Sequence, residues 1–189
     1  MKNILIVNAN PKADSLCKHL ADMYEIEARE YHRVRRFNLS HMAFDANLSE
    51  GYAPQTLEPC LEDFQQALIW AEHLVIVSPV WWGGLPAAFK GLLDRSLLPG
   101  FAFRYDANTA AVIPLLQGKT ARLMFTMDAP ADFAEQQAEP VVAQLDRFTL
   151  QFCGFAPANI SYFPAASWVT AELLELWQQT IKAFGRKGE

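Results

Sequence analysis

An α/β fold with a parallel sheet is predicted by three features of this chain of 189 residues. Short apolar runs alternate with longer amphipathic stretches. The first run is continuously apolar, as in a strand buried on both faces. Five such runs are separated by helical patterns, which is the repeated βα unit that places helices on both faces of a parallel sheet.

The elements follow in order. "NILIVNA" at 3–9 is a β-branched run and the first strand. Residues 15–29 place Leu16, Leu20, Met23 and Ile26 at helical spacing behind Asp14 or Ser15 as cap. "RVRRFNL" is a short second strand; the basic cluster "HRVRR" at 32–36 fits a sheet edge with outward charges. After a turn-rich section at 40–58 come the helix "CLEDFQQALIWAE" and the strand "HLVIVSP" at 73–79. The helix "LPAAFKGLLDRSL" carries Pro86 near its first turn and pairs Lys90 with Asp94 at i,i+4. No element is assigned to 99–118. "KTARLMFTM" at 119–127 is the fourth strand, "EPVVAQLDRFTLQFCG" a helix ending near Gly154, "APANISYFP" the fifth strand and "TAELLELWQQTIKAFG" the closing helix. No repeat, low-complexity tract or linker interrupts the chain, so residues 1–189 form one domain.

Composition narrows the function classes. The net charge of −5 argues against a dedicated nucleic-acid binder. Cys17, Cys60 and Cys153 are odd in number and widely spaced without a CxxC, so neither a disulfide framework nor a zinc site is indicated. The uncharged stretches 73–89 and 148–171 are broken by prolines, glycines and polar residues, so no membrane span is expected. The N-terminal run is too short for a signal peptide, and the expected location is the cytoplasm. "QGKT" at 117–120 is not a phosphate loop, because Ile113 stands where the first glycine belongs and the motif precedes a strand. GxGxxG after the first strand, HExxH and GxSxG are all missing, and the four histidines are scattered. No metal site is expected.

In a doubly wound sheet, ligands bind beyond the carboxyl ends of the strands, where the strand order reverses. The loops after strands one, three and four are therefore the informative ones. "NANPKADS" leads into a helix whose free N–H groups, with Ser15, suit a phosphate, although a plain N-cap explains Ser15 as well. "SPVWWGG" combines a sharp Gly83–Gly84 turn, which lets backbone approach a ligand, with the flat apolar walls of Trp81 and Trp82. "FTMDAPADF" places Thr126, Met127 and Asp128 where they can meet the polar edge of the same flat ligand.

Taken together, these loops resemble the flavodoxin-like NAD(P)H:quinone oxidoreductases of the flavodoxin-2 type. The likeness runs over most of the chain and is most specific in "PVWWGGLPAAFKGLLDRSLLPGFAF". It implies a five-stranded sheet of order 2-1-3-4-5 and a homodimeric flavoenzyme that carries hydride from NAD(P)H through flavin to a quinone or similar acceptor. By the same resemblance Asn10, Ser15, Leu16 and Cys17 fall where relatives hold the flavin phosphate. Pro79, Val80, Trp81, Trp82 and Gly83 fall against the ring, and Thr126, Met127 and Asp128 at its pyrimidine edge. Trp82 and Phe133, with Phe103 and Tyr105 reaching across a dimer interface, wall the substrate pocket. The little chain after the last helix favours FMN, with FAD as the other cofactor this scaffold takes. The chain departs from the family at Asn10, where many relatives have His, and at "MDAP", where some have a glycine pair. Phe133 lacks the hydroxyl of a relay tyrosine, so a side-chain proton relay is not expected. The alternative reading is a flavin- or nucleotide-binding ancillary subunit of a transporter with little turnover.

Overall fold

The computed structural model describes all residues, Met1–Glu189. β1 (Asn3–Asn8), β2 (Arg33–Asn38), β3 (His73–Pro79), β6 (Thr120–Thr126) and β7 (Asn159–Phe163) form one parallel sheet of order β2-β1-β3-β6-β7. This is the expected 2-1-3-4-5 order. A separate antiparallel hairpin, β4 (Phe103–Tyr105) with β5 (Val112–Pro114), occupies the segment to which no element was assigned. With three residues each, its strands are too short for alternation to mark them.

Successive strand residues enter opposite layers. Leu5, Val7, Leu74, Ile76, Leu123 and Phe125 face α2 (Pro59–Trp70), α3 (Ala87–Ser96) and α4 (Ala134–Val142). Ile4, Ile6, Val75, Val77 and Met124 face α1 (Leu16–Tyr31) and α6 (Ala171–Lys187). The central strands therefore read as continuous apolar runs because both of their faces are covered.

Ser15 caps α1, accepting the Lys18 N–H at 3.2 Å. The buried stripe of α1 is Cys17, Leu20, Ala21, Tyr24 and Ala28, whereas Ile26 is 64% exposed. The expected Leu16–Ile26 stripe is thus rotated toward smaller residues. The reason is the close approach of α6, where a Cβ on Gly185 would sit 2.7 Å from the Tyr24 carbonyl oxygen. At the sheet edge Arg33 and Arg35 point outward as expected, but Arg36 folds onto α1 and pairs with Asp22 and Glu25.

The fourth helical region starts five residues before its expected beginning at Glu139. It includes Pro140, then widens into a π-helical segment, Ala143–Leu150, and ends in α5 (Gln151–Cys153). Pro140 has no N–H to give the ladder, and beyond it the Thr149 hydroxyl donates to the Gln144 carbonyl five residues back, at 2.8 Å. Asp146 inside this segment is buried and accepts from Gln151 Nε2 and the Ala158 N–H, both at 2.9 Å. No helix is long and apolar enough to cross a membrane.

Candidate active site

The strand order reverses between β1 and β3, and a cleft of about 290 Å³ opens there at the carboxyl ends of the strands. The three loops singled out in the sequence meet in it. Asn10, Ser15 and Leu16 come from the first, Pro79, Val80 and Trp81 from the second, Thr126, Met127 and Asp128 from the third. A fourth loop, after β7, adds Ala166 and Ser167, and Lys12 adds a cation.

Each side of this cleft follows from local structure. The first turn of α1 leaves the N–H groups of Leu16 and Cys17 without intrahelical acceptors, a setting that favours an anion. Asn10 braces the loop, its Oδ1 accepting the Lys12 N–H at 2.9 Å. In the second loop Trp81 and Gly84 exchange N–H···O bonds of 3.0 and 2.9 Å around Trp82 and Gly83. Both central residues have positive φ, 53° and 69°, as a mirror-image hairpin turn requires. The N–H groups of Trp82, Gly83 and Asp128 make no hydrogen bond within the chain.

Not every predicted residue lines the cleft with its side chain. The Cys17 thiol is turned into the core, and burial pushes its pKa up, against the hydrogen bond with Thr126. Trp82 projects fully into solvent and Gly83 forms the turn behind it, so neither side chain is part of the cleft wall. Phe133 precedes α4, is 45% exposed and lines neither this cleft nor the one described next.

Phe103 and Tyr105 stand elsewhere. They line a second, apolar cleft of about 270 Å³ with Tyr52, Phe148 and Phe152, closed on one side by the Lys90–Asp94 ion pair at 2.6 Å. Phe103 is nearly buried and takes Tyr105 and Phe152 edge-on at ring distances of 5.6 and 5.0 Å. Tyr105 and Phe148 remain 55% and 75% exposed. No histidine lines either cleft.

Sequence reasoning missed Lys12, Ala166, Ser167 and the second-cleft aromatics Tyr52, Phe148 and Phe152. Lys12 lay in plain view inside the first loop. Ala166 and Ser167 follow a strand end, and the carboxyl-end rule marks that loop as much as the other three.

Comparisons with known proteins agree with this fold. A family model described as flavodoxin-like fold matches residues 2–183. Ribosyldihydronicotinamide dehydrogenase [quinone] of Homo sapiens is 30% identical over 152 residues, covering 73% of this chain and 63% of that protein. The chain thus spans less than two thirds of the length of this curated relative. The NAD(P)H:quinone oxidoreductase from Methanothermobacter marburgensis superposes with a TM-score of 0.82 at 18% identity, covering 100% of this chain and 99% of the other. An FMN-dependent NADH-azoreductase from Bacillus anthracis, solved in complex with FMN, gives 0.76 at 17% identity, covering 99% of both chains. With its sheet order, its switch-point cleft and a family match over nearly its full length, the chain belongs to the flavodoxin-like fold family.

Proposed function

We propose that this protein is an FMN-dependent NAD(P)H:quinone oxidoreductase whose flavin occupies the switch-point cleft. The observation that carries this reading is the convergence of three motif-bearing loops on one cleft with apolar walls and free backbone N–H donors. Those features fit a flat, partly polar ring with a phosphate tail. The bound flavin supplies hydride acceptance from NAD(P)H and two-electron transfer to the quinone.

The chain's own groups bind and orient. Lys12, Ser15 and the N–H groups of Leu16 and Cys17 hold the phosphate, with Asn10 fixing their loop. Pro79, Val80 and Trp81 give the ring an apolar bed. The N–H groups of Trp82, Gly83 and Asp128, beside Thr126 and Met127, meet its polar edge and stabilise negative charge that develops there. Within one protomer no histidine or hydroxyl-bearing aromatic lines this cleft, so the chain's own lining offers no side-chain proton relay.

The working form in this reading is a cytoplasmic homodimer. Tyr105 of one protomer, seated on the nearly buried Phe103, faces the cleft of its partner, where with Trp82 and Phe133 it walls the quinone pocket. The exposed rings of Tyr105, Tyr52 and Phe148 at the second cleft support this, since clustered exposed aromatics are the kind of face a partner covers. Purified protein should be yellow, bleach anaerobically on addition of NAD(P)H and recover its colour with a benzoquinone. Protein that stays colourless and takes up no added FMN overturns the reading.

A further inference from the structure

The wall of the switch-point cleft that no motif marks is the β7–α6 connection, and its apolar attachment is thin: Val169, partly buried, packs against the core layer of α1 and α6. Its short helical turn, Ala166–Trp168, buries no residue, and Trp168 is 70% exposed. Ala165 enters it at φ 51°, a left-handed conformation that a non-glycine residue does not choose by itself. Hydrogen bonds hold the turn itself. The Ala165 N–H donates to the Ala129 carbonyl at 2.9 Å and the Ala166 N–H to the Met127 carbonyl at 3.0 Å. The last attachment is Asp128: the Ser167 N–H donates to Oδ1 at 2.9 Å and the Ser167 hydroxyl to Oδ2 at 3.0 Å.

Two consequences follow from that pair. Both bonds are charge-assisted, so they are the strongest polar ties on a segment whose turn, Ala166–Trp168, buries no residue. Both carboxylate oxygens are also occupied by Ser167, which blunts a negative charge on the rim of a cleft built to take an anion.

We propose that Asp128 is a positioning residue that clamps the β7–α6 connection, through Ser167, as the fourth wall of the cofactor cleft. The inference rests on the reading of that cleft as the FMN site. In this role the carboxylate acts through Ser167, and the clamp sets both how tightly flavin is retained and how much negative charge it meets. Nothing in the fold needs this pair, since both residues are exposed and lie beyond the strand ends.

The test is FMN titration of apoprotein by flavin fluorescence, with the midpoint potential of the bound FMN, for wild type, Asp128→Ala, Asp128→Asn and Ser167→Ala. Asp128→Ala should weaken FMN binding about tenfold, the loss expected when about 1.4 kcal/mol of charge-assisted bonding goes. Asp128→Asn keeps an acceptor for the Ser167 N–H and offers its amide to the hydroxyl, so affinity should return to within about twofold of wild type. With the charge gone, its potential should move to more positive values. Ser167→Ala leaves one carboxylate oxygen open, and should weaken FMN and move the potential in the opposite direction. The clamp is overturned if Asp128→Ala binds FMN like wild type, or if Asp128→Asn is as weak as Asp128→Ala at an unchanged potential. Should Asp128→Ala fail to fold, Ser167→Ala decides alone: wild-type affinity and potential in it overturn the clamp. Wild-type protein that binds no FMN overturns the parent reading and this inference together, whereas tight wild-type binding with indifferent variants overturns only this one.

Discussion

Cys17 Sγ lies 3.2 Å from Thr126 Oγ1, joining the first turn of α1 to the end of β6 beneath the cofactor cleft. The contact fixes how the first and third loops sit relative to each other. It also leaves the thiol 1% exposed, and burial raises its pKa despite the hydrogen bonds from Thr126 and Asn10. A thiol needs its thiolate form and access to react. Alkylation of native protein with iodoacetamide at pH 7.5 should therefore label Cys60 and spare Cys17 and Cys153, whose thiol is held at about 11 by burial. Peptide mass spectrometry reads the outcome, and rapid labelling of Cys17 contradicts the packing described.

His73 starts β3 with its ring buried; Nδ1 sits 2.7 Å from Thr120 Oγ1 and Nε2 has no partner. Burial first, then the nearby Lys2 and Arg122 charges, lower its pKa from 6.5 to about 4. The unfolded chain takes up this proton near pH 6.5 and the folded chain does not until about 4. Stability from this residue is thus complete above pH 6.5 and is lost as pH falls toward 4, by an amount on the order of 3 kcal/mol. Urea midpoints measured between pH 7 and 4.5 should fall less steeply for His73→Asn than for wild type. Parallel slopes would contradict the assignment.

Trp82 holds φ 53° with its ring fully in solvent, so folding alone gives no reason for a large aromatic there. A left-handed conformation costs a non-glycine residue roughly 1–2 kcal/mol. Trp82→Gly should raise thermal stability by a comparable amount. The same variant should raise the KM for quinone about tenfold, if the ring covers the acceptor as proposed. A variant that is more stable and kinetically unchanged would remove Trp82 from the substrate pocket.

The ring of Phe148, 75% exposed on the π-helical segment, is the outermost aromatic of the second cleft. Phe148→Glu places a charge on that face without touching the cofactor cleft. Analytical ultracentrifugation should show monomer where wild type is dimer, with quinone KM raised and FMN binding retained. A wild-type protein that sediments as a monomer contradicts the dimer directly.

Much of the fold was legible in the sequence because burial on both faces leaves a local record. "ILIV" and "LVIV" could be read as central strands, and Ser15, Pro86 and Gly154 mark helix ends by backbone chemistry that acts within a few residues. The three loops were legible for the same reason: strand ends, glycines and prolines announce themselves locally. The buried stripe of α1 was misread because it depends on how closely α6 approaches at Gly185, which no periodicity within α1 reports.

By itself, then, the sequence determined the βα order, the five strands of the parallel sheet and the segments that end up at their carboxyl edges. Only the tertiary structure decided which side chains share a cavity. It turned Cys17 inward, stood Trp82 in solvent, sent Phe103 and Tyr105 to a different cleft and brought Ser167 across to Asp128. Hydrophobic periodicity and turn chemistry are set by neighbours a few positions apart. A cleft is made by loops far apart in the chain, and their meeting is fixed by sheet order and by single hydrogen bonds between them.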